Sequence, residues 1–214
     1  MSSSGGSVRG GWRVTGVAVR ALVVATVTLG VGYTLAVTGV GQVAFNAQAN
    51  GSTVQDAAGR TVGSILLAQP FTDAHGAPIA EYFQERPSAG AYSGTASGGS
   101  NLGPSNPELV ERILARKAAV AAFDGVPVSE VPADAVTASA SGLDPAISPE
   151  YAAIQVRRVA HARGMSVAAV RALVAQYTTG RDLGFLGEPR VNVLQLNLAL
   201  DAAGRRPGEA SGGY

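Results

Sequence analysis

Chemistry at neutral pH needs nucleophiles, bases or metal ligands brought together, and this sequence is sparing with all three. It has two histidines, His75 and His161, and no cysteine. Two isolated imidazoles make a poor metal site, because a zinc centre takes at least three protein ligands; each His is expected as a solvated or structurally bonded side chain. Without cysteine there is no disulfide, no thiolate nucleophile and no Cys-ligated metal. Serine is abundant, but a hydrolase serine of the G-x-S-x-G kind sits in a strand-to-helix elbow, and the nearest string is Gly94-Thr95-Ala96-Ser97-Gly98. A phosphate loop needs glycines followed at once by a helix N-terminus. Ser97-Gly98-Gly99-Ser100 precedes the helix signal at Pro107 by too many residues and lacks the lysine of a G-x-x-x-x-G-K-[ST] loop. No catalytic residue, metal site or resident cofactor is expected.

Two other features bear on function. Gly30 and Gly32 lie in Leu29-Gly30-Val31-Gly32-Tyr33, letters that superficially match a potassium-channel filter. A filter is an extended loop re-entering between two helices in four copies, whereas these letters fall inside the one long apolar stretch. The reading carried forward is a small-residue face for packing against another membrane helix. Gln155 falls on the same helical stripe as Ala152, Val156 and Val159, so its amide is expected to be buried and bonded.

The elements that position these residues begin with a membrane span. The chain of 214 residues is 46% hydrophobic and 14% charged, well below the roughly 25% charge of an average soluble chain. Residues 21–55 carry no charge, and 14–40 are dominated by Val, Ala, Leu, Gly and Thr. About 22 such residues cross the ~30 Å hydrocarbon layer as a helix. Arg9, Arg13 and Arg20 precede its centre and the next cation is Arg60, so the positive-inside rule puts the N-terminus in the cytoplasm and the rest outside. Ala47-Gln48-Ala49 has the form of a signal-peptide cleavage site, but the apolar run is much longer than a ~7–15-residue signal core, which favours a retained anchor. Residues 1–13 read as a disordered cytoplasmic tail, 41–60 as a juxtamembrane linker, 61–204 as one α+β domain and 205–214 as a tail. The net charge of +1, without a Lys/Arg cluster, disfavours nucleic acid.

Within the domain, 62–68 predicts a short buried strand and 86–106 a long Gly/Ser/Pro/Asn loop. Asn106, Ser148 and Ser166 are helix N-caps, the first two followed by Pro, with Gly125 and Gly164 as stops and Gly180 following the third helix. Leu109, Ile113 and Val120 line the first helix, while Val167, Val170, Val174 and Tyr177 line the third. Residues 191–201 alternate as a strand does, yet Asn192 with Gln195 forms a capping-box-like start; the reading is helix.

Five strings together carry a family resemblance: Tyr82-Phe83-Gln84 running into Arg86-Pro87-Ser88, ASGGSNLGPSNP at 96–107, VPADAVTASASGLDPAISPE at 131–150, RVAHARG at 158–164 and GFLGEPRVNVLQLNLALD at 184–201. In order, spacing and N-terminal anchor the chain resembles the C subunit of the Kdp-type potassium-transporting P-type ATPase. That resemblance implies a non-catalytic accessory subunit in the plasma membrane of a bacterium. It implies a channel-like potassium-binding subunit and a P-type ATPase catalytic subunit as partners. The chain itself has one span and lacks the DKTGT phosphorylation motif, so it cannot pump alone. The resemblance also implies an association with ATP, through a likeness of 139–155 to the signature motif of ABC transporters, which makes Ser139, Ser141, Gly142 and Gln155 nucleotide candidates. Topology opposes this, because the domain is expected outside, away from cytoplasmic ATP. Partner-contact candidates are Gly30 and Gly32 in the span and Ser97, Gly98, Gly99, Ser100 and Asn101 in the loop. The alternative reading is a membrane-anchored extracytoplasmic binding module or hydrolase.

Overall fold

The computed structural model describes residues 8–204, with side chains from residue 11 onward. The expected tails at 1–7 and 205–214 lie outside the described residues. The chain divides into two units, one ending at Ser52 and one beginning at Thr53.

The first unit is a single apolar rod. Helix α1 (Val8–Ala25) runs through a π-helical stretch (Thr26–Tyr33) into α2 (Thr34–Ala44). The segment Gly11–Ala44 has a mean hydropathy of 1.9 over its most apolar window, and none of that window is buried. At 1.5 Å per residue its 34 residues reach about 50 Å, more than a bilayer's ~30 Å hydrocarbon layer requires. The helix therefore overruns the expected span at both ends. Residues 8–13, expected in the disordered tail, are helical, since extending an existing helix adds one hydrogen bond per residue fixed. Thr28 Oγ1 donates to the carbonyl of Val24, which keeps its hydroxyl satisfied in an apolar helix. At the far end Gln42, Asn46 and Asn50 form an amide cluster: Asn46 Nδ2 and Asn50 Nδ2 donate to Gln42 Oε1 at 3.2 and 3.1 Å. The expected linker at 41–60 is thus partly ordered, holding the end of α2, the single turn α3 (Asn46–Ala49) and strand β1 (Thr53–Gln55).

In the second unit, β1 pairs antiparallel with β2 (Thr61–Ser64), bulged between Val54 and Gln55. The strand expected over 62–68 stops at Ser64 because Ser64 Oγ accepts the Leu66 N–H (3.1 Å) and its carbonyl accepts that of Leu67. Leu66 and Leu67 turn outward, and only Ala68 of that run is buried. The helices follow their N-cap signals, and the first two their glycine stops; the third ends at Gln176, short of the expected Gly180, because Thr178–Thr179 leave the helix to join a strand. In α4 (Pro107–Asp124) the Asn106 side chain accepts from Glu108 N, and Gly125 ends the helix at φ 65°. In α5 (Pro149–Arg163) Ser148 Oγ accepts from Tyr151 N, and in α6 (Val167–Gln176) Ser166 Oγ accepts from Ala169 N. Val167, expected on the buried stripe, is 38% exposed, as its place in the first turn of α6 leaves it uncovered.

Residues 191–201 are both elements in succession. Arg190–Asn192 is strand β5, and Asn192 Oδ1 then caps α7 (Val193–Gly204) by accepting from Gln195 N at 3.0 Å. Strand β5 is the centre of a small antiparallel sheet between β3 (Ala146–Ile147) and β4 (Thr178–Thr179). Ile147, Val156, Val159, Val170, Val191 and Leu196, all at most 2% exposed, join these helices and strands into one core with Phe83. Burying each stabilises the fold by roughly 1.5–3 kcal/mol before entropy is counted. The domain is α+β.

Candidate functional site

Among the described residues no strand runs beside residues 80–84, yet the segment is fixed at the heart of the domain. Three side chains take the place of a neighbouring strand. Asn197 of α7, 1% exposed, accepts the Phe83 N–H at Oδ1 (2.9 Å) and donates Nδ2 to the Phe83 carbonyl (3.0 Å). Gln155 of α5 does the same for Gln84, accepting at Oε1 (2.7 Å) and donating Nε2 (3.2 Å). Arg158, one α-helical turn further on, donates to the carbonyls of Ala80 (2.6 Å) and Tyr82 (2.9 Å) and to Gln155 Oε1 (2.7 Å). Its remaining Nε bonds Asp124 Oδ1 at 2.8 Å in a buried ion pair, and its guanidinium lies over the Phe123 ring. Burial holds the Asp124 carboxyl above its ordinary range, an effect that Arg158 only partly offsets.

Glu85 follows immediately. Its side chain is buried and, among the described residues, neither carboxylate oxygen has a hydrogen-bond partner. Burial, and then the negative charge of Asp144, drive this carboxyl well above the usual glutamate range. Tyr92 is pushed up to about 12 by burial and by Glu85.

The candidate loops meet one another. Gly98 N donates to the carbonyl of Ser141 (2.8 Å), Ser97 Oγ donates to the same oxygen (3.0 Å), and Ser139 N donates to the Pro87 carbonyl (3.1 Å). Ser88 Oγ donates to the Gly142 carbonyl at 2.7 Å, and Ser139 Oγ lies 3.0 Å from Ser141 Oγ. Gly142 has φ 68°, and a Cβ there falls 2.9 Å from the carbonyl oxygen of Gly98. So Ser139, Ser141 and Gly142, expected as nucleotide contacts, and Ser97, Gly98 and Gly99, expected as partner contacts, form one double loop that spends much of its hydrogen bonding on itself. Gly99 packs against Ala140, while Asn101 stands exposed at φ 53° and Ser100 is half-buried. The shallow groove beside this loop is lined by Arg86, Ser139, Ser141, Leu143 and Asp144. Gln155 is not part of it: its side chain is wholly buried against Gln84. Gly30 and Gly32 sit in the π-helical stretch of the rod, with no residue of that stretch buried.

Sequence reasoning had the Gln155 burial but not its partner, 71 residues away. It missed Asn197, Arg158, Asp124 and Glu85 as a group, for which no local signal exists. It also missed the hairpin between β4 and β5. There Asp182 and Leu186 exchange backbone hydrogen bonds, both at 2.9 Å, and Leu183 and Phe185 stand 82% and 69% exposed. The signal for it was present in Leu183-Gly184-Phe185-Leu186-Gly187, bulky apolar residues set among turn glycines.

A family model described as KdpC, K+-transporting ATPase, c chain, matches residues 15–202. The potassium-transporting ATPase KdpC subunit of Sorangium cellulosum is 55% identical over 185 residues, covering 85% of this chain and 94% of the relative. That of Methylibium petroleiphilum is 56% identical over 186 residues, covering 85% and 92%. That of Kineococcus radiotolerans is 53% identical over 184 residues, covering 85% and 90%.

Proposed function

The chain belongs to the KdpC family, K+-transporting ATPase c chain, and from that membership we propose that it is the non-catalytic accessory subunit of a potassium-importing pump, needed for assembly and stability of the complex. Its partners on this reading are a channel-like potassium-binding subunit and a P-type ATPase catalytic subunit. Arg9, Arg13 and Arg20 ahead of the span's centre, with the next cation at Arg60, favour an N-terminus in the cytoplasm and a domain outside. Gly30 and Gly32, which leave the helix surface low, permit close packing against a partner's membrane helix.

The observation that carries the accessory reading is the use made of the domain's buried polar groups. Gln155, Asn197, Arg158 and Asp124 are engaged with the chain's own backbone and with each other, an arrangement that fixes shape and leaves no free nucleophile and base side by side there. Gln155 is a structural amide on this reading, with ATP bound by another subunit.

Affinity purification of the full chain from native membranes tests the proposal. A large transporter should follow it in fixed stoichiometry, and potassium-stimulated ATPase should be lost from membranes lacking this chain. A lone chain carrying its own hydrolase or ligand-binding activity would overturn it. Protease added to intact spheroplasts should digest the domain; protection until the membrane is broken refutes the orientation.

A further inference from the structure

Ala47-Gln48-Ala49 has the form of a signal-peptide cleavage site, and at the far end of the rod it is folded rather than extended. A peptidase binds its substrate extended, with alternate side chains entering pockets. On such a chain residues two apart share a face, so the two alanines are presented together. On a helix they point about 200° apart. Here both lie in the turn α3, closed by four backbone bonds: Ala49 N to the Phe45 carbonyl (2.8 Å), Asn50 N to that of Asn46 (3.0 Å), Gly51 N to that of Gln48 (3.1 Å) and Ser52 N to that of Ala47 (2.7 Å). The Ala49–Asn50 amide that cleavage would break lies inside this bonded turn.

A single turn is too short to hold itself, because isolated helices of a few residues are marginal in water. Packing among the described residues does not hold it either: residues 42–50 are all exposed, and the backbone breaks from α2 at Phe45 (φ −136°). What spans the break is the amide ladder of Gln42, Asn46 and Asn50, spaced i, i+4 and i+8. Gln42 Oε1 accepts from Asn46 Nδ2 (3.2 Å) and Asn50 Nδ2 (3.1 Å), and Gln42 Nε2 donates back to Asn50 Oδ1 (3.4 Å). Asn50 Nδ2 also donates to the Asn46 carbonyl at 2.7 Å, so the ladder brackets Ala47 to Ala49 from both sides. We propose that the Gln42–Asn46–Asn50 ladder is a conformational lock that keeps Ala47-Gln48-Ala49 folded against membrane signal peptidase, and so keeps the domain tethered to its span. The inference rests on the outside placement of the domain proposed above, since such a peptidase cuts on that face.

The test expresses the full chain with the remaining subunits and reads the product by intact-mass spectrometry. Gln42→Ala with Asn46→Ser and Asn50→Ser removes the ladder, and serine shares asparagine's modest helix propensity, so the turn is otherwise little changed. Cleavage is hydrolysis of the 49–50 amide, leaving a carboxylate on Ala49 and a new amine at position 50. The fragment starting at position 50 should rise at least about tenfold over wild type, as the extended form gains population with the lost bonds. Adding Ala49→Leu should abolish it, because the small residue next to the cut is then gone. An uncut triple variant, or a cut elsewhere, overturns the lock. Should the triple variant not be recovered, Gln48→Pro decides: it drives Ala47 out of the helical region while leaving the ladder residues in place, and it should release the same fragment, an uncut chain again overturning the lock. Protease added to intact spheroplasts of the same cells separates the two failures. A protected domain refutes the orientation and the lock with it, whereas an accessible domain on an uncut variant refutes the lock alone.

Discussion

Asn197 offers the sharpest test of how this domain holds together. Its amide satisfies both polar groups of Phe83 across 114 residues of sequence, and both residues are buried. Asn197→Leu keeps the γ-branched shape and removes both bonds, leaving an N–H and a C=O with no partner. Each buried unsatisfied group costs about 1–3 kcal/mol, so the substitution is expected to cost about 2–6 kcal/mol, against a total of about 5–15 kcal/mol for a domain. With a urea slope of about 1–3 kcal/mol per molar, the midpoint should fall by roughly 1–3 M. Trp12 lies in the N-terminal rod, so fluorescence reports the wrong unit; far-UV circular dichroism of the full chain in detergent follows the domain. Asn197→Asp adds a sign check. Its ionised carboxylate keeps the acceptor but loses the donor, so it should be as damaging at neutral pH and recover as acid protonates the carboxyl. A midpoint within a few tenths molar of wild type for Asn197→Leu refutes the claim that this amide holds the 80–84 segment.

Three further outcomes are expected. Glu85 has a folded-state pKa above its unfolded one, so its folded form holds the proton more tightly and domain stability falls as pH rises from the ordinary glutamate range toward the raised value; Glu85→Gln should flatten that fall and gain on wild type with rising pH, and parallel urea-midpoint curves would contradict this. Gln155→Ala frees two backbone groups of Gln84 and part of Arg158, and should cost about 2–5 kcal/mol in urea titration while leaving the ATP half-saturation of the assembled ATPase unmoved; a tenfold shift in that half-saturation at unchanged stability would make Gln155 a nucleotide ligand. Gly30→Leu with Gly32→Leu should abolish co-purification of the other subunits yet leave the domain's urea midpoint where it was, because the bulk is added only to the rod; normal assembly of that variant would place the helix contact elsewhere.

Helix limits were legible in the sequence because capping is local. Asn106, Ser148, Ser166 and Asn192 each cap the backbone two or three residues ahead, and Gly125 and Gly164 stop helices through their own conformation. Strands of two or three residues, such as Ala146–Ile147 and Thr178–Thr179, leave no alternation to detect, so the three-stranded sheet was invisible. Asn192 ends a strand and caps a helix, which is why 191–201 carried both signals. The site was harder. That Gln155 had to be bonded followed from its place on an apolar stripe, but its partner, and the triad it makes with Arg158 and Asn197, depend on contacts spanning 71 to 114 residues. The Gly/Ser loop looked free to bond a partner because composition says nothing of its docking on Ser139 and Ser141.

The side-chain clamp on residues 80–84 also changes which errors the chain can make while folding. A strand laid against another strand can slip by two residues and still find partners, and an outer strand offers its free groups to any passing chain. Here the partners are three side chains rooted at fixed heights on α5 and α7, spaced to fit one alignment of Ala80, Tyr82, Phe83 and Gln84. Neither a sliding register nor an open edge is available along these residues. For a domain assembled in the company of other subunits, that makes the segment hard to domain-swap and hard to recruit into an intermolecular sheet.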